Sequence, residues 1–302
     1  MNSTAMAEKF RLPNDSRVGP PILRVKDLDR MLEFYQGVFG LEQNRSASVD
    51  VVELGFGKEV RPNATGPLLV LKHDPQAKET SHDFAGLYHF AILVPDRKSL
   101  AYAYLGIQEK KVRFDGFGDH LVSESLYLHD PERNGIEIYR DRPRSEWSFD
   151  EQGRIIMDTI PLDLAGISSE LPEQERNIPK PFPNGARIGH MHLRVTNLER
   201  SVEFYHEKLG FDVTGDWSSM GAMFLSAGGY HHHIGMNTWH SLDGKKHETG
   251  EAGLDSFTIE LPNNPSTMRE LKSRLGDALI SVNEGELLAS DPNGIQIRIK
   301  AV

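Results

Sequence analysis

A strand–helix unit that recurs along the chain constrains its fold more than any other feature. The segment RVKDLDRMLEFYQGVFGL, residues 24–41, matches RVTNLERSVEFYHEKLGF, residues 194–211, closely. Both begin as an alternating strand, turn through Asp or Asn, and continue with the spacing of an amphipathic helix. Weaker copies of the same unit begin at Gly86 and Gly253. Internal similarity of this kind indicates a chain that is built from repeated modules.

Two of the four copies end in nearly the same turn and strand. HDPERNGIEIYR, residues 129–140, matches SDPNGIQIRIK, residues 290–300. Asp-Pro followed by Asn-Gly is strong turn chemistry, and it leads here into a strand of period two. The other two copies end in β-rich segments. The pattern predicts an α+β chain of four βαβββ modules with a Pro- and acid-rich linker over 143–185; the modules span 18–75, 84–142, 186–240 and 251–300.

The motifs of these modules resemble those of the vicinal oxygen chelate superfamily. They are a strand leading into [DN]-L-x-R-x-x-E-F-Y, and later D-P-x-x-N-G-x-E-x-Y. That superfamily includes glyoxalase I, bleomycin-resistance proteins and type I extradiol dioxygenases, and the four-module length is similar to dioxygenases of the catechol 2,3-dioxygenase kind. The resemblance implies that the modules close in pairs into two open β-barrels, with metal ligands on the first and last strands of a module.

Alignment of the four modules identifies which of them carry ligand-competent residues at those positions. The first-strand position holds His89 in the second module and His190 in the third, although nearby His192 competes with His190 for the role. The last-strand position of the second module holds Glu137. Two imidazoles and one carboxylate suit a mononuclear Fe(II) site, and Mn(II) would suit the same ligands. The equivalent positions in the first and fourth modules are occupied by Pro20, Ser256 and Gln296.

The distribution of these ligands also predicts how the modules pair. If the first module paired with the second, and the third with the fourth, the ligands would be divided between two barrels and could not bind one metal ion. We therefore predict that the second and third modules close around the metal. The first and fourth modules then form a metal-free scaffold.

A run of histidines near the end of the third module is the first candidate for catalysis. The segment GYHHHIGMN resembles the extradiol segment that carries a catalytic histidine. Register with Ile234 favours His232, and His231 and His233 remain alternatives, on the opposite face if the segment is extended. A neutral imidazole there would move protons. The apolar side chains that flank the run could form an aromatic wall of a pocket, but core packing is the role that we expect for each: Phe224, Met236 and Trp239.

The second module contributes two further candidates. Tyr127 precedes Glu137 by ten residues, which resembles the extradiol pattern in which a tyrosine hydrogen-bonds a hydroxyl oxygen of the substrate. His120 lies seven residues before Tyr127 and is a candidate acid–base or substrate-binding group. His129 is expected to be part of a solvent-facing turn.

Composition excludes several other functions. The 302 residues include no cysteine, so disulfides, thiolate nucleophiles and zinc–sulfur sites are absent. A formal net charge of −10 argues against a nucleic-acid partner, which needs a basic surface. No apolar run approaches the roughly 20 residues of a membrane span, and the N-terminus lacks the apolar core of a secretory signal. A cytoplasmic protein is expected, and a homo-oligomer is compatible with the sequence.

Together these features predict an extradiol dioxygenase that inserts O2 into a small aromatic diol. Two other activities of the same superfamily remain open. A glyoxalase-like isomerase or lyase usually has a fourth protein ligand, often a second Glu that acts as a base, but no carboxylate occurs in the YHHH segment. A non-enzymatic binding protein of the bleomycin-resistance kind needs no metal, and three well-placed ligands argue against it.

Overall fold

The computed structural model describes residues 9–56, 66–81, 83–176, 178, 181–283 and 285–302. The first module contains β1 (Arg17–Val25), α1 (Leu28–Phe39), β2 (Glu42–Ser48), β3 (Val51–Gly55) and β4 (Leu69–His73). The second contains β5 (Gly86–Leu93), α2 (Arg97–Glu109), β6 (Gly116–Asp119), β7 (Ser123–His129) and β8 (Gly135–Asp141). Two short helices follow in the linker, α3 (Leu164–Ser169) and α4 (Glu173–Arg176).

The last two modules repeat this order of elements. The third contains β9 (Arg187–Arg194), α5 (Leu198–Val202) with a π-helical extension over Glu203–Lys208, β10 (Asp212–Trp217), β11 (Ala222–Ser226) and β12 (Ile234–Asn237). The fourth contains β13 (Gly253–Leu261), α6 (Pro265–Leu275), β14 (Leu279–Asn283), β15 (Glu286–Ser290) and β16 (Gln296–Ala301). None of the described helices is long and apolar enough to span a bilayer.

The strands form two eight-stranded sheets. One has the order β14-β15-β16-β13-β1-β4-β3-β2, and the other has the order β10-β11-β12-β9-β5-β8-β7-β6. The first therefore joins the fourth module to the first, and the second joins the third to the second. In each sheet the first strands of the two modules lie at the centre and pair antiparallel. This arrangement confirms the predicted α+β fold of paired modules, and it puts all three candidate metal ligands in one sheet.

The two repeated motifs meet in the core and hold neighbouring modules together. Tyr35 of α1 donates a hydrogen bond of 2.8 Å to the carboxylate of Asp130, in the Asp-Pro turn of the second module. Tyr205 of the third module makes the equivalent bond of 3.2 Å to Asp291 of the fourth. Burial raises the pKa of Asp130 and of Asp291 to about 6. The sheets thus join modules one with four and two with three, whereas these hydrogen bonds join one with two and three with four.

The linker has more structure than its composition predicted. Main-chain hydrogen bonds between the two sides of residues 148–156 form a small hairpin, with a bridge between Phe149 and Ile155. Further along, Ile160 pairs with Asp119 at the end of β6 through two bonds of 2.9 Å. The chain between these two points lies against the sheet of the second and third modules.

Candidate metal centre and substrate pocket

The three predicted ligands lie on three adjacent central strands of one sheet. Ala91 of β5 is paired with Glu137 of β8 on one side and with His190 of β9 on the other. His89 lies two residues before Ala91, so its side chain points to the same face of the sheet. The small side chain of Ala91 leaves space in which the three larger ones can meet. Gly135 allows β8 to approach β5 closely, because a side chain there would lie 2.1 Å from the Tyr88 carbonyl oxygen.

The ligand atoms converge on a single point. Glu137 Oε2 lies 2.9 Å from His89 Nε2 and 3.0 Å from His190 Nε2. One ligand atom from each residue lies within 4.8 Å of the others, and all three residues are buried. Among the residues that the structure describes, no other group of three or more His, Asp or Glu side chains meets this criterion.

The protonation states of the cluster suit metal binding. Burial opposes the charge of Glu137, but His190 and His89 beside it outweigh this and hold the pKa of the carboxyl well below its usual value. Burial lowers the pKa of His190 to about 4, which leaves its imidazole neutral at neutral pH. A carboxylate and an unprotonated imidazole nitrogen are the forms in which these side chains bind metals.

One buried atom of the cluster indicates that a further group belongs there. His89 Nε2 is buried and has no hydrogen-bond partner, although it lies 2.9 Å from the Glu137 carboxylate. A buried polar atom without a partner costs about 1–3 kcal/mol. A divalent cation between the three side chains would remove that cost, so the residues present fit a metal ion.

The corresponding positions of the other sheet are used differently. Arg298 of β16 donates to Glu286 of β15 at 2.7 Å, and its Nε lies 3.3 Å from the Ser256 hydroxyl. Charged side chains of the last two strands therefore pair with each other in this sheet. The division into metal-binding and scaffold modules stays a prediction.

The competitor His192 has another partner. Its Nε2 accepts a hydrogen bond of 3.0 Å from the side-chain amide of Asn237 in β12. Its ring centroid lies 4.9 Å from that of His89, and it lines the adjoining cavity without entering the cluster. Burial and the neighbouring histidines lower its pKa well below the usual value, so His192 is a neutral wall residue.

Tyr127 and His120 form a hydrogen-bonded pair beside the cluster. Tyr127 is paired with Glu137 across β7 and β8, and its hydroxyl lies 2.7 Å from His120 Nε2. His120 Nδ1 lies 3.1 Å from the carbonyl oxygen of Asp158, which only accepts, so Nδ1 carries the proton. An imidazole that carries its only proton at Nδ1 accepts the hydrogen bond of Tyr127 at Nε2. Burial and the charge of Glu137 raise the pKa of Tyr127 well above 10, which keeps its hydroxyl protonated.

The three consecutive histidines have different surroundings in the structure. The ring centroid of His232 lies 4.1 Å from that of His190, and His232 lines the cavity. His231 is buried, with Nε2 at 2.8 Å from Asp141 and Nδ1 at 2.8 Å from His232 Nδ1. His233 contacts Ser226 at 2.9 Å and accepts from a main-chain N–H at its Nδ1.

The alternation expected across these histidines is wrong, because β12 begins only after them. His231 therefore also reaches the cavity, which strict alternation of an extended strand would prevent.

A cavity of about 520 Å³ opens beside the cluster. Its aromatic wall includes Trp217, Phe224 and Trp239. Phe224 and Trp239 thus form pocket surface, and the expectation that Trp239 packs in the core is wrong, because it is 47% exposed. His129 is not part of a solvent-facing turn either, since it ends β7, lines the cavity and lies 2.5 Å from the Asp115 carboxylate.

Similarity to known proteins agrees with this geometry. Residues 17–138 and 187–260 match the model of the Glyoxalase/Bleomycin resistance protein/Dioxygenase superfamily. The chain is 39% identical over 273 residues to a protein of Bacillus subtilis (strain 168) named catechol-2,3-dioxygenase, covering 90% of this chain and 92% of that protein. The chain belongs to this superfamily. The predicted resemblance is thus confirmed.

Solved structures show the same fold at low sequence identity. A putative dioxygenase from Bacillus subtilis subsp. subtilis str. 168 aligns with a TM-score of 0.62 at 11% identity, covering 97% of this chain and 86% of that one. Glyoxalase I from Zea mays aligns with a TM-score of 0.54 at 17% identity, covering 95% and 92%. Enzymes with different activities therefore share this architecture, and the activity must be argued from the site.

Proposed function

We propose that the chain is an extradiol dioxygenase, which uses O2 to cleave a catechol-type ring beside its two hydroxyl-bearing carbons. The observation that carries the proposal is the buried cluster of His89, Glu137 and His190, with a Tyr127–His120 pair on one side and His232 on the other. The 39% identity to a protein named catechol-2,3-dioxygenase, over 90% of the chain, supports the same activity.

Fe(II) is the proposed metal, and Mn(II) suits the same three ligands. Bound there, the ion would supply positive charge that favours a deprotonated diol, together with the one-electron chemistry that O2 requires. With His89, Glu137 and His190 as its protein ligands, the ion would have positions left for both diol oxygens and for O2. The single carboxylate leaves the site with net positive charge, which suits an anionic substrate.

Tyr127 and His120 provide a route for one proton of the diol. Because Tyr127 donates its own hydrogen to His120 Nε2, its oxygen is free to accept a hydrogen bond from a hydroxyl of the substrate. Transfer of the diol proton to Tyr127 can accompany transfer of the tyrosine proton to His120. The resulting imidazolium keeps its Nδ1–H bond to the Asp158 carbonyl oxygen, and half-exposed His120 can release the proton to solvent.

His232 provides acid–base chemistry on the other side of the cluster. The Asp141 carboxylate accepts from His231 Nε2, and an imidazole that carries its only proton there has a lone pair at Nδ1. That lone pair accepts from His232 Nδ1, and the Nε2 of His232 is left as a base. Burial, with His190 and His231 nearby, lowers the pKa of His232 well below the usual value. A neutral imidazole so held can take up a proton and return it to an oxygen of the reacting complex.

A redox-neutral isomerase is the second candidate. In the described part of the chain, Glu137 is the one carboxylate of the ligand cluster. The second carboxylate base that is expected for such an enzyme is therefore not present among these ligands. The ligand set of two imidazoles and one carboxylate therefore favours ring cleavage.

The decisive experiment starts from protein reconstituted with Fe(II) under anaerobic conditions. Catechol and air should then produce a coloured ring-opened product, with one O2 consumed for each catechol. Product without O2 uptake would indicate an isomerase or lyase, and catechol binding without turnover would indicate a binding protein. Either result, if it is obtained with Fe(II) and again with Mn(II), would refute the proposed activity.

A cytoplasmic location and a homo-oligomeric state remain predictions.

A matched pair of variants tests the ligand assignment. Glu137→Gln should abolish metal retention after gel filtration, because it removes the negative charge that two imidazoles surround. Glu251 is a suitable control, since it is 3% exposed and lies 3.0 Å from His247 outside the cavity. Glu251→Gln should retain metal and activity. Equal metal content in both variants would contradict the assignment.

A further inference from the structure

One wall of the cavity does not come from the sheet. Strands β6 and β10 are the two edges of the sheet formed by the second and third modules, so the curled sheet is open between them. Residues 155–160 of the linker, which we call the strap, run across that opening. At one edge, Ile160 makes two main-chain hydrogen bonds of 2.9 Å with Asp119 of β6.

At the other edge the strap packs on β10 through one side chain. A methyl group added to Gly215 would lie 2.7 Å from the terminal carbon of Met157, so the glycine provides the space that Met157 occupies. The same added group would lie 3.1 Å from the ring of Phe224, which lines the cavity. Met157 thus fills a gap between an edge strand and the aromatic wall.

The inner side of the strap faces the site already described. Met157, Asp158 and Thr159 all line the cavity. The Asp158 carbonyl oxygen and the Thr159 hydroxyl lie 3.1 and 3.2 Å from His120 Nδ1. In contrast, Ile156 is 41% exposed and does not line the cavity. The strap therefore has an inner side that contacts a proposed catalytic residue and an outer side in solvent.

The position of the strap gives it a specific role, which rests on the proposed ring cleavage. A diol whose two oxygens lie at the ligand cluster would extend the far edge of its ring into the cavity, and the strap is one wall of that cavity. We propose that the strap is the wall that limits the substituents on the substrate ring, and that Met157 is its specificity-determining residue. Met157 has an unbranched, flexible side chain that can adapt to small substituents and excludes larger ones.

Met157→Ala tests this proposal with catechol and 4-tert-butylcatechol as the two probes. The ratio of kcat/KM for the substituted diol to that for catechol should rise about tenfold or more, the scale on which a few methylenes in an apolar pocket discriminate. Ile156→Ala removes a neighbouring apolar side chain outside the cavity and should leave the ratio at the wild-type value. An unchanged ratio in Met157→Ala, or the same rise in both variants, would overturn the proposal.

A binding measurement separates this proposal from the proposed function. Trp217 and Trp239 line the cavity, so their fluorescence can report anaerobic binding of each diol. Met157→Ala should tighten binding of 4-tert-butylcatechol relative to catechol. If that occurs in a protein that cleaves neither diol, the strap proposal stands and the dioxygenase proposal fails. If catechol is cleaved, but Met157→Ala changes neither the kcat/KM ratio nor the relative binding of the two diols, the strap proposal alone fails.

A second substitution at the same position provides a test if Met157→Ala does not fold. Should Met157→Ala lose its native circular dichroism spectrum, Met157→Phe tests the same point in the opposite direction. The larger side chain should lower the ratio of kcat/KM for the substituted diol to that for catechol. A ratio equal to that of the wild-type protein in folded Met157→Phe would overturn the proposal.

Discussion

Because Tyr127 and His120 share a hydrogen bond, mutations of these two residues should have coupled effects on kcat/KM. The tyrosine oxygen and His120 Nε2 are 2.7 Å apart, and neither residue belongs to the ligand cluster. When a proton passes along this bond in the transition state the interaction becomes charge-assisted, which is worth about 1.5–3 kcal/mol. Tyr127→Phe or His120→Ala alone should therefore lower kcat/KM for catechol by about 10- to 150-fold.

The double variant decides whether the two residues act together. Since either substitution interrupts the same proton path, Tyr127→Phe with His120→Ala should be about as slow as the slower single variant. Independent contributions would instead multiply, to a loss of about 100-fold at least. Steady-state O2 uptake measures the rates, and iron content must stay at the wild-type level in all three variants. Multiplicative losses with normal iron content would refute the shared path.

Three further predictions concern proton transfer and stability. His232→Gln should lower kcat by about 10²–10⁴-fold without loss of iron, as expected for removal of an acid–base group, and a variant with unchanged kcat would exclude His232 from that role. Tyr35→Phe should lower the free energy of unfolding in urea by about 1.5–3 kcal/mol, because a hydrogen bond of 2.8 Å to a buried carboxylate is lost. Tyr205→Phe should lower it by less, because the equivalent bond is 3.2 Å long. A larger loss in Tyr205→Phe would contradict this comparison. Asp130 has a folded-state pKa of about 6 against an ordinary value of 3.8, so its stabilising contribution is complete below pH 3.8 and is lost as pH rises through 6. Relative to Asp130→Asn, the wild-type protein should lose up to about 3 kcal/mol of unfolding free energy between pH 4 and 7, and parallel pH profiles would show that the pKa is not raised.

The pairing of the modules could be predicted because the repeats carry information about register. Equivalent positions in four copies fall on equivalent strands, so comparing His89, His190 and Glu137 with their counterparts identifies which modules hold ligand-competent residues. One cation cannot be bound by side chains in two separate barrels. The sheet orders agree with that reasoning, and the three side chains form one buried cluster.

Other features of the site could not be predicted from local patterns. The histidine run precedes β12 rather than lying in it, so strand alternation does not govern which ring faces the cavity. Similarly, the contact between His129 and Asp115 joins residues whose proximity depends on the hairpin of β6 and β7. Trp239 donates to the Met220 carbonyl oxygen and contacts the rings of Tyr88 and His192, so its surroundings depend on residues far from it in the sequence.

By itself the sequence determined the modules, their strand and helix order, and the two imidazoles and one carboxylate that share a sheet face. Period-two and period-3.6 patterns encode these features locally, and repetition makes them comparable between copies. That the linker lines the cavity could be known only from the three-dimensional structure. Its contacts to His120 come from a main-chain carbonyl and one hydroxyl, and its contact to β10 depends on a missing side chain at Gly215. A main-chain carbonyl is present in every residue, so a contact made by it leaves no trace in the sequence.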